Sequence, residues 1–437
     1  MEFRKTSFIL AIIFLMPFVI FAQADKHWIK HQISVLAGTS MSGRGYTDKG
    51  IQKAGVHILK ELRSFGLQPV NGDSTYLQYY FFPVNTFPGQ MLVATKKLRF
   101  LPGVDYLVDA ASTGFDGDGI KVTTLDLGKI TELEKWEALK EKLQPDNKVY
   151  LLKNADTLAK LLNINMRKLP QALPKGCYII PIHGKLTWDV ATDTIPATVI
   201  YMEDTVLPKK LKKLDIHILN KFLPSGVNKN ENIIGCVPGN AKDSFIVFTA
   251  HYDHLGEMGK GNIFPGASDN ASGMAMLLLL AHYYAERPQH YTMVFIAFSG
   301  EEAGLLGSDF FVKHPMIPLS NIRFLTNLDI MGDASDGITV VNATEYPRQF
   351  NILQQINTEK GYLPQLKSRG KAAISDHYHF TEAGVPSFFM YSNGGKGYYH
   401  DVFDQSAAVT LTNIDAVAKL IAEFTAQINK DVDVVKN

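Results

Sequence analysis

Cysteine is scarce: Cys177 and Cys236 are the only two in 437 residues. That number excludes a thiolate metal site of the usual multi-cysteine kind, and no disulfide framework can organise the fold. One bridge between the two, or two buried free thiols, are both compatible with the chain. Net charge is lacking as well: 44 basic and 43 acidic side chains leave +1, which removes the electrostatic basis for binding nucleic acid or an anionic membrane surface. The one local cluster, Lys209, Lys210, Lys212 and Lys213, reads as a solvated surface. Internal repeats and low-complexity tracts are absent, and only one long apolar run occurs, from about Phe8 to Phe21.

That run is shorter than the ~20 apolar residues of a membrane-spanning helix. Arg4 and Lys5 precede it, and the small-x-small sequence Ala22-Gln23-Ala24 follows before the polar Asp25-Lys26. Residues 1–24 therefore read as a secretory signal peptide. The expected mature chain starts near Gln23 or Asp25, works in the periplasm or outside the cell, and makes no stable membrane insertion.

What is present is the material of a folded enzyme-sized chain, with 46% hydrophobic and 20% charged residues. The length exceeds what one core usually organises, so a large domain with a smaller partner is expected. Between Lys49 and Phe65, Ile51, Ala54, Ile58, Leu59 and Leu62 recur at helical spacing until Gly66. β-rich passages follow at Tyr76–Phe82 and Met91–Leu101, so residues 25–101 read as the N-terminal part of the main domain. Residues 102–229 alternate short strands with Lys/Leu-rich helical runs and read as a smaller β-rich inserted domain. From 230 to 437 the rhythm is that of an α/β fold. Strands are expected at Phe245–Ala250, Met293–Phe298, Ile322–Leu328, Ile338–Val341 and Ser387–Met390, with helices at Ala271–Tyr284, Gly304–Val312, Tyr346–Glu359 and Asn413–Ile428. Near-continuous apolar strands between helices predict a mostly parallel central sheet sandwiched by helices. Chemistry in such sheets gathers beyond the carboxyl ends of the strands.

The polar residues collect at those ends. The first strand runs into His251-Tyr252-Asp253-His254, and the loop before the first helix carries Gly266 to Gly273 with Asp269 inside it. The next strands end in Ser299-Gly300-Glu301-Glu302 and Asn327-Leu328-Asp329, and Tyr398-Tyr399-His400-Asp401 lies in a downstream glycine-rich loop. Buried carboxylates need partners, and divalent metal supplies them. Imidazole with carboxylate suits zinc, and two ions need a bridging anion. Asp269 is the candidate bridge, with His251 and Asp329 assigned to one ion and Glu302 and His400 to the other. Successive residues at a strand end point in different directions, so Glu301 is free to act as general base while its neighbour binds metal. Asp253 is the candidate outer partner of His251, and Asp401 or Asp404 that of His400. Asn270-Ala271-Ser272 and Asn342-Ala343-Thr344 also fit a glycosylation acceptor pattern, weakly.

With these residues in view, the chain resembles the co-catalytic dizinc exopeptidases of metallopeptidase family 28. The blocks carrying the resemblance are Ala250 to His254, Gly266 to Gly273, Phe298 to Gly307 and Asn327 to Asp329. Ser375-Asp376-His377 with Phe380, Gly384, Val385 and Pro386, and the lead-in Leu36 to Gly66 with Ser42-Gly43-Arg44, look like further family blocks. The resemblance implies a phosphorylase/hydrolase-like α/β sandwich. It matches His251, Asp269, Glu302, Asp329 and His400 to the family's ligands for two Zn2+ ions per chain, and Glu301 to its catalytic acid/base. The insert, with Ile195 to Ile200, looks like a protease-associated domain, although Pro170 to Asp193 departs from that pattern. Asp401 replaces a residue often small and hydroxylated in the family, and Ser268 stands where Asn or Asp is commoner.

The leading expectation is removal of N-terminal residues from peptides or proteins. A glutaminyl cyclase would share the sheet but resemble a single-zinc site. A carboxypeptidase would need a cationic pocket, for which Arg369 is the candidate. A binding module would be expected to have lost some of the six key residues, and all six are present.

Overall fold

The computed structural model describes residues 24–72, 75–143 and 148–430; the signal-peptide reading of residues 1–24 falls outside these except at Ala24. Two eight-stranded sheets dominate. The first has the order Leu77–Phe81, Lys229–Val237, Tyr291–Phe298, Ala241–His251, Ile322–Leu328, Ser387–Ser392, Ile338–Val341, Leu366–Arg369. Its four strands from Tyr291–Phe298 to Ser387–Ser392 are mutually parallel, as the apolar runs predict. The flanking pairs at Lys229–Val237 and Ile338–Val341 are antiparallel.

Both faces of this sheet are buried, and the two-residue period of a strand sorts the side chains. Along Tyr291–Phe298, Met293, Phe295 and Ala297 enter one core while Val294, Ile296 and Phe298 enter the other. The first core is covered by helices Ala24–Leu36, Gly50–Ser64, Gly273–Ala285 and Ile414–Lys430, the second by Leu306–Lys313 and His377–Glu382. Gly273–Ala285 lies deepest, with Met274 to Ala281 all buried. That position explains why its sequence is apolar on every side rather than along a stripe.

The second sheet has the order Arg99–Phe100, Leu92–Ala94, Lys213–Ile218, Phe115–Asp126, Lys148–Lys153, Gly176–Ile182, Ala197–Glu203, Tyr106–Val108. It begins ten residues before the boundary expected at 102. Leu92–Ala94 pairs with Lys213–Ile218, and Arg99–Phe100 pairs with Leu92–Ala94, so the Met91–Leu101 passage joins this sheet and not the first. Short strands carry no mark of their sheet, because the pairing partner is more than a hundred residues away. Cys177 lies in this sheet and Cys236 in the first, and both are free and buried. Asn270 and Asn342 are buried too, which argues against a sugar on either. The lysines at 209, 210, 212 and 213 are exposed. No described helix is long and apolar enough to cross a membrane.

The sheets are not independent. Leu255, Met258 and Phe264, from the segment that follows His251, pack into the core of the second sheet with Phe87, Trp188 and Ile200. The loop between two site-bearing positions is thus clamped between both cores.

Truncating Leu278, fully buried in the deepest helix, is expected to cost about 2–5 kcal/mol, the range for opening a cavity of that size. Denaturant unfolding of Leu278→Ala against the parent chain measures it, and a loss below about 1 kcal/mol contradicts the packing described.

Candidate metal centre

Register brings the strand ends level. Ala250 pairs with Ala297 and His251 with Phe298, while Thr249 pairs with Asn327. His251 closes its strand, and Glu301-Glu302 and Asp329 follow theirs on the same edge. Asp269 arrives from the turn before helix Gly273–Ala285, and His400 from the loop after Gly394, Gly395 and Gly397. Gly266, at φ 58°, opens the Asp269 turn; a Cβ there would lie 2.3 Å from the His254 ring and 2.2 Å from the Asp269 carbonyl oxygen.

All six sequence-predicted residues meet. His251 Nε2 lies 3.3 Å from Asp269 Oδ1, 3.4 Å from Asp329 Oδ1 and 4.0 Å from Glu301 Oε2. His400 Nε2 lies 3.2 Å from Asp269 Oδ2 and 3.0 Å from Glu302 Oε2. The two oxygens of Asp269 therefore face opposite halves of the cluster. Potential ligand atoms of His251, Glu301 and Asp329, and likewise those of His251, Asp269 and Glu302, fall within 4.8 Å of one another. The second group crosses the halves, which are contiguous around Asp269.

The electrostatics separate adjacent carboxylates. Burial pushes the Glu301 carboxyl well above the ordinary range; His251 opposes this, and Glu302, Asp329 and Asp376 add to it. Burial acts on Glu302 too, but His400 and His254 overcome it and hold that carboxyl at about 2. Asp269 is held far below its ordinary value by His251 and His400 in spite of burial. Asp329 is pushed up by burial against the pull of His251. Both imidazoles are raised despite burial, chiefly by Glu301 and Asp329 at His251 and by Glu302 at His400. In the metal-free protein these two rings carry the positive charge the carboxylates require.

The donor set fits divalent metal. It combines imidazole with carboxylate oxygens, and Asp329 Oδ1 is buried with no hydrogen-bond partner, an orphan that a cation would satisfy.

Backbone and side-chain contacts aim each group. His251 Nδ1 donates to the Asp253 carbonyl at 3.2 Å, leaving Nε2 toward the cluster. The Asp253 carboxylate accepts the backbone N–H groups of Glu301 and Glu302 and the Tyr46 hydroxyl. Asp404 does not serve His400. It accepts the N–H groups of Ser268 and Asp269 at 2.8 and 3.0 Å and so fixes the turn carrying the bridge candidate. Asp401 does not serve His400 either: it pairs with Lys185 at 2.8 Å and accepts the Phe403 N–H. His400 Nδ1 instead faces the Trp188 carbonyl at 2.8 Å and Asp189 Oδ1 at 3.3 Å, both from the second sheet's side of the molecule.

Sequence reasoning also missed four contributors. His254 Nδ1 contacts Glu302 Oε1 at 2.6 Å. Ser375 donates to Asp329 Oδ2 at 3.0 Å and is held by Asn327, itself held by Thr249. Trp188 is the third. The fourth is Arg44, fully buried, whose guanidinium donates to the carbonyls of Leu36, Tyr252, Pro265, Gly266 and Asp269. Burial lowers it to about 10, against the pull of Asp269, Asp404, Asp253 and Glu302. A second histidine three residues after His251 and the family-like blocks holding Ser375 and Arg44 were visible signals, but the contacts of Ser375, Trp188 and Arg44 with the site span more than forty residues.

A model of Peptidase family M28 matches residues 232–425. Aminopeptidase YwaD of Bacillus subtilis is 34% identical over 166 residues, 36% of this chain and 34% of that protein. A probable leucine aminopeptidase of Arthroderma otae is 26% identical over 217 residues, 46% of this chain and 57% of that protein. The alignments thus reach less than two thirds of the length of either relative. Among solved structures, a zinc aminopeptidase from Bacillus subtilis superposes with a TM-score of 0.65 at 20% identity, covering 94% of this chain and 97% of that one. The aminopeptidase from Aneurinibacillus sp. strain AM-1 gives 0.61 at 16% identity, covering 96% and 97%. At these identities the structural likeness is one of fold, a mixed α/β architecture.

Replacing Arg44 by Met strips five carbonyls of their donor and the carboxylates of their fixed counter-charge. The expected loss is at least about 3 kcal/mol in the metal-free protein. Arg44→Lys is expected to recover less than half of it, since an ammonium cannot reproduce the planar fork. Denaturant unfolding in EDTA is the measurement; a loss under about 1 kcal/mol would show that the cluster assembles without this cation.

Proposed function

We propose, from the premise that this chain belongs to peptidase family M28 through residues 232–425, that it is an exported zinc-dependent aminopeptidase acting on the N-termini of peptides or proteins. The observation that carries the reading is the two-faced placement of Asp269, one oxygen toward His251 and the other toward His400. In this reading His251 with Asp329 and His400 with Glu302 would each hold one ion, and Asp269 would be shared between the two. Two zinc ions there would polarise the scissile carbonyl and neutralise the oxyanion that develops on it. The zinc of the Bacillus subtilis aminopeptidase that this chain resembles in fold supports the choice of metal.

The chain's own residues divide the remaining work. Glu301 is the general base. Its carboxylate faces the cluster without contacting His400, and its affinity for a proton exceeds that of Glu302. It takes a proton from the attacking water as the new C–O bond forms. It returns that proton to the amide nitrogen as the C–N bond breaks, so that a neutral amine leaves. Asp253 fixes the turn bearing both glutamates, and Asp404 fixes the turn bearing Asp269. Arg369, the cation a carboxypeptidase reading would use, sits on an edge strand and donates to the Tyr391 hydroxyl. Residues 92–218 form a sheet unit compatible with a protease-associated domain. The leader pattern at residues 1–24 supports export.

The Glu301→Gln variant is expected to keep two zinc ions per chain and to hydrolyse aminoacyl-anilides at least about a hundredfold more slowly. Metal analysis beside steady-state assays of the mature protein decides it. Unchanged turnover removes Glu301 from the mechanism, and one zinc per chain with cyclisation of N-terminal glutamine moves the assignment to a cyclase.

A further inference from the structure

The loop that presents His400 is rich in glycine. Gly394, Gly395 and Gly397 all take positive φ, and His400 itself sits at φ 54°. A non-glycine residue holds that conformation only where neighbours impose it. The neighbours come from segment 185–189, which belongs to the second sheet unit between strands Gly176–Ile182 and Ala197–Glu203.

We propose that Trp188 and Lys185 are positioning residues for His400, so that the second sheet unit completes the half of the metal centre built on His400 and Glu302. This assignment rests on the two-ion reading above. A backbone carbonyl can only accept, so the 2.8 Å contact with the Trp188 oxygen places a proton on His400 Nδ1. It leaves Nε2 as the atom facing Asp269 and Glu302, the tautomer a ligand needs. The Trp188 N–H donates back to the His400 carbonyl at 2.9 Å, making a two-way backbone bridge. Trp188 is itself pinned. Its indole N–H donates to the Val108 carbonyl at 2.8 Å, and its ring stacks on Phe264 with centroids 4.8 Å apart. Lys185 brackets the histidine, its Nζ reaching Asp401 Oδ2 at 2.8 Å on one side and the Gly397 carbonyl at 2.9 Å on the other. The corresponding fastening of His251 comes from Asp253, within its own strand end. The two halves are therefore held by different parts of the chain and should respond separately.

Stepwise calorimetric titration of Zn2+ into the EDTA-stripped full chain tests this. Lys185 is half-exposed, so Lys185→Met is expected to keep its unfolding temperature while one of two binding steps weakens by about tenfold or more and the other stays within about threefold. Lys185→Arg is expected to restore the weakened step, and Trp188→Phe, which keeps a ring but loses the indole donor, to weaken the same step. Parent protein taking up two ions, with both steps unchanged or equally weakened in Lys185→Met and Trp188→Phe, overturns the positioning role alone. Parent protein taking up fewer than two ions overturns the two-ion reading and this assignment with it.

Discussion

Four carboxylates withdrawn from water within a few ångströms of one another form the constraint around which the rest of this molecule is arranged. Asp269, Glu301, Glu302 and Asp329 would repel each other strongly at that spacing and depth. Positive charge has to be supplied from fixed positions. Two imidazoles inside the cluster and the Arg44 guanidinium behind it do so. Backbone N–H groups turn two further carboxylates, Asp253 and Asp404, into braces for the turns carrying the cluster. The same crowding divides the adjacent glutamates, raising the proton affinity of Glu301 and lowering that of Glu302, and that difference suits neighbours in sequence to different parts in hydrolysis.

The parallel sheet makes this concentration possible at low cost elsewhere. Its central strands are buried on both faces and mostly apolar, so most of the polar chemistry is displaced to their carboxyl ends. Level register then brings His251, Glu302 and Asp329 together without any strand leaving the sheet. Asp269 and His400 come from turns that must be held against their own flexibility. One is held by Arg44 and Asp404, the other by a segment of the second sheet unit. The second sheet is thereby tied to the site twice, through Trp188 and through Leu255, Met258 and Phe264 in its core.

Much of this is legible in the sequence alone. The strands and helices from residue 245 onward show in their apolar periodicity, because a doubly covered strand and a buried helix must be apolar over their whole length. His251, Glu301, Glu302 and Asp329 were legible because they stand where apolar strands stop, and Asp269 and His400 because glycine-rich turns carry them. The partners of His400 were not. Asp401 and Asp404 lie next to it in sequence, yet each is committed elsewhere, and the carbonyl of Trp188 carries no sequence signal at all. Nor could the burial of Arg44 be read from the block that holds it, since the carbonyls it satisfies belong to three separate stretches of chain.

By itself, then, the chain determined which segments are strands and helices, which residue types collect at the strand ends, and what chemistry such a collection suits. These follow from local burial periodicity and from the coordination preferences of imidazole and carboxylate. Tertiary structure alone decided which sheet the strands near residue 92 would join, which way each imidazole faces, and which charge stands behind the acids. Those outcomes depend on pairing, tautomer and burial between positions tens to hundreds of residues apart, and no local pattern encodes a distance.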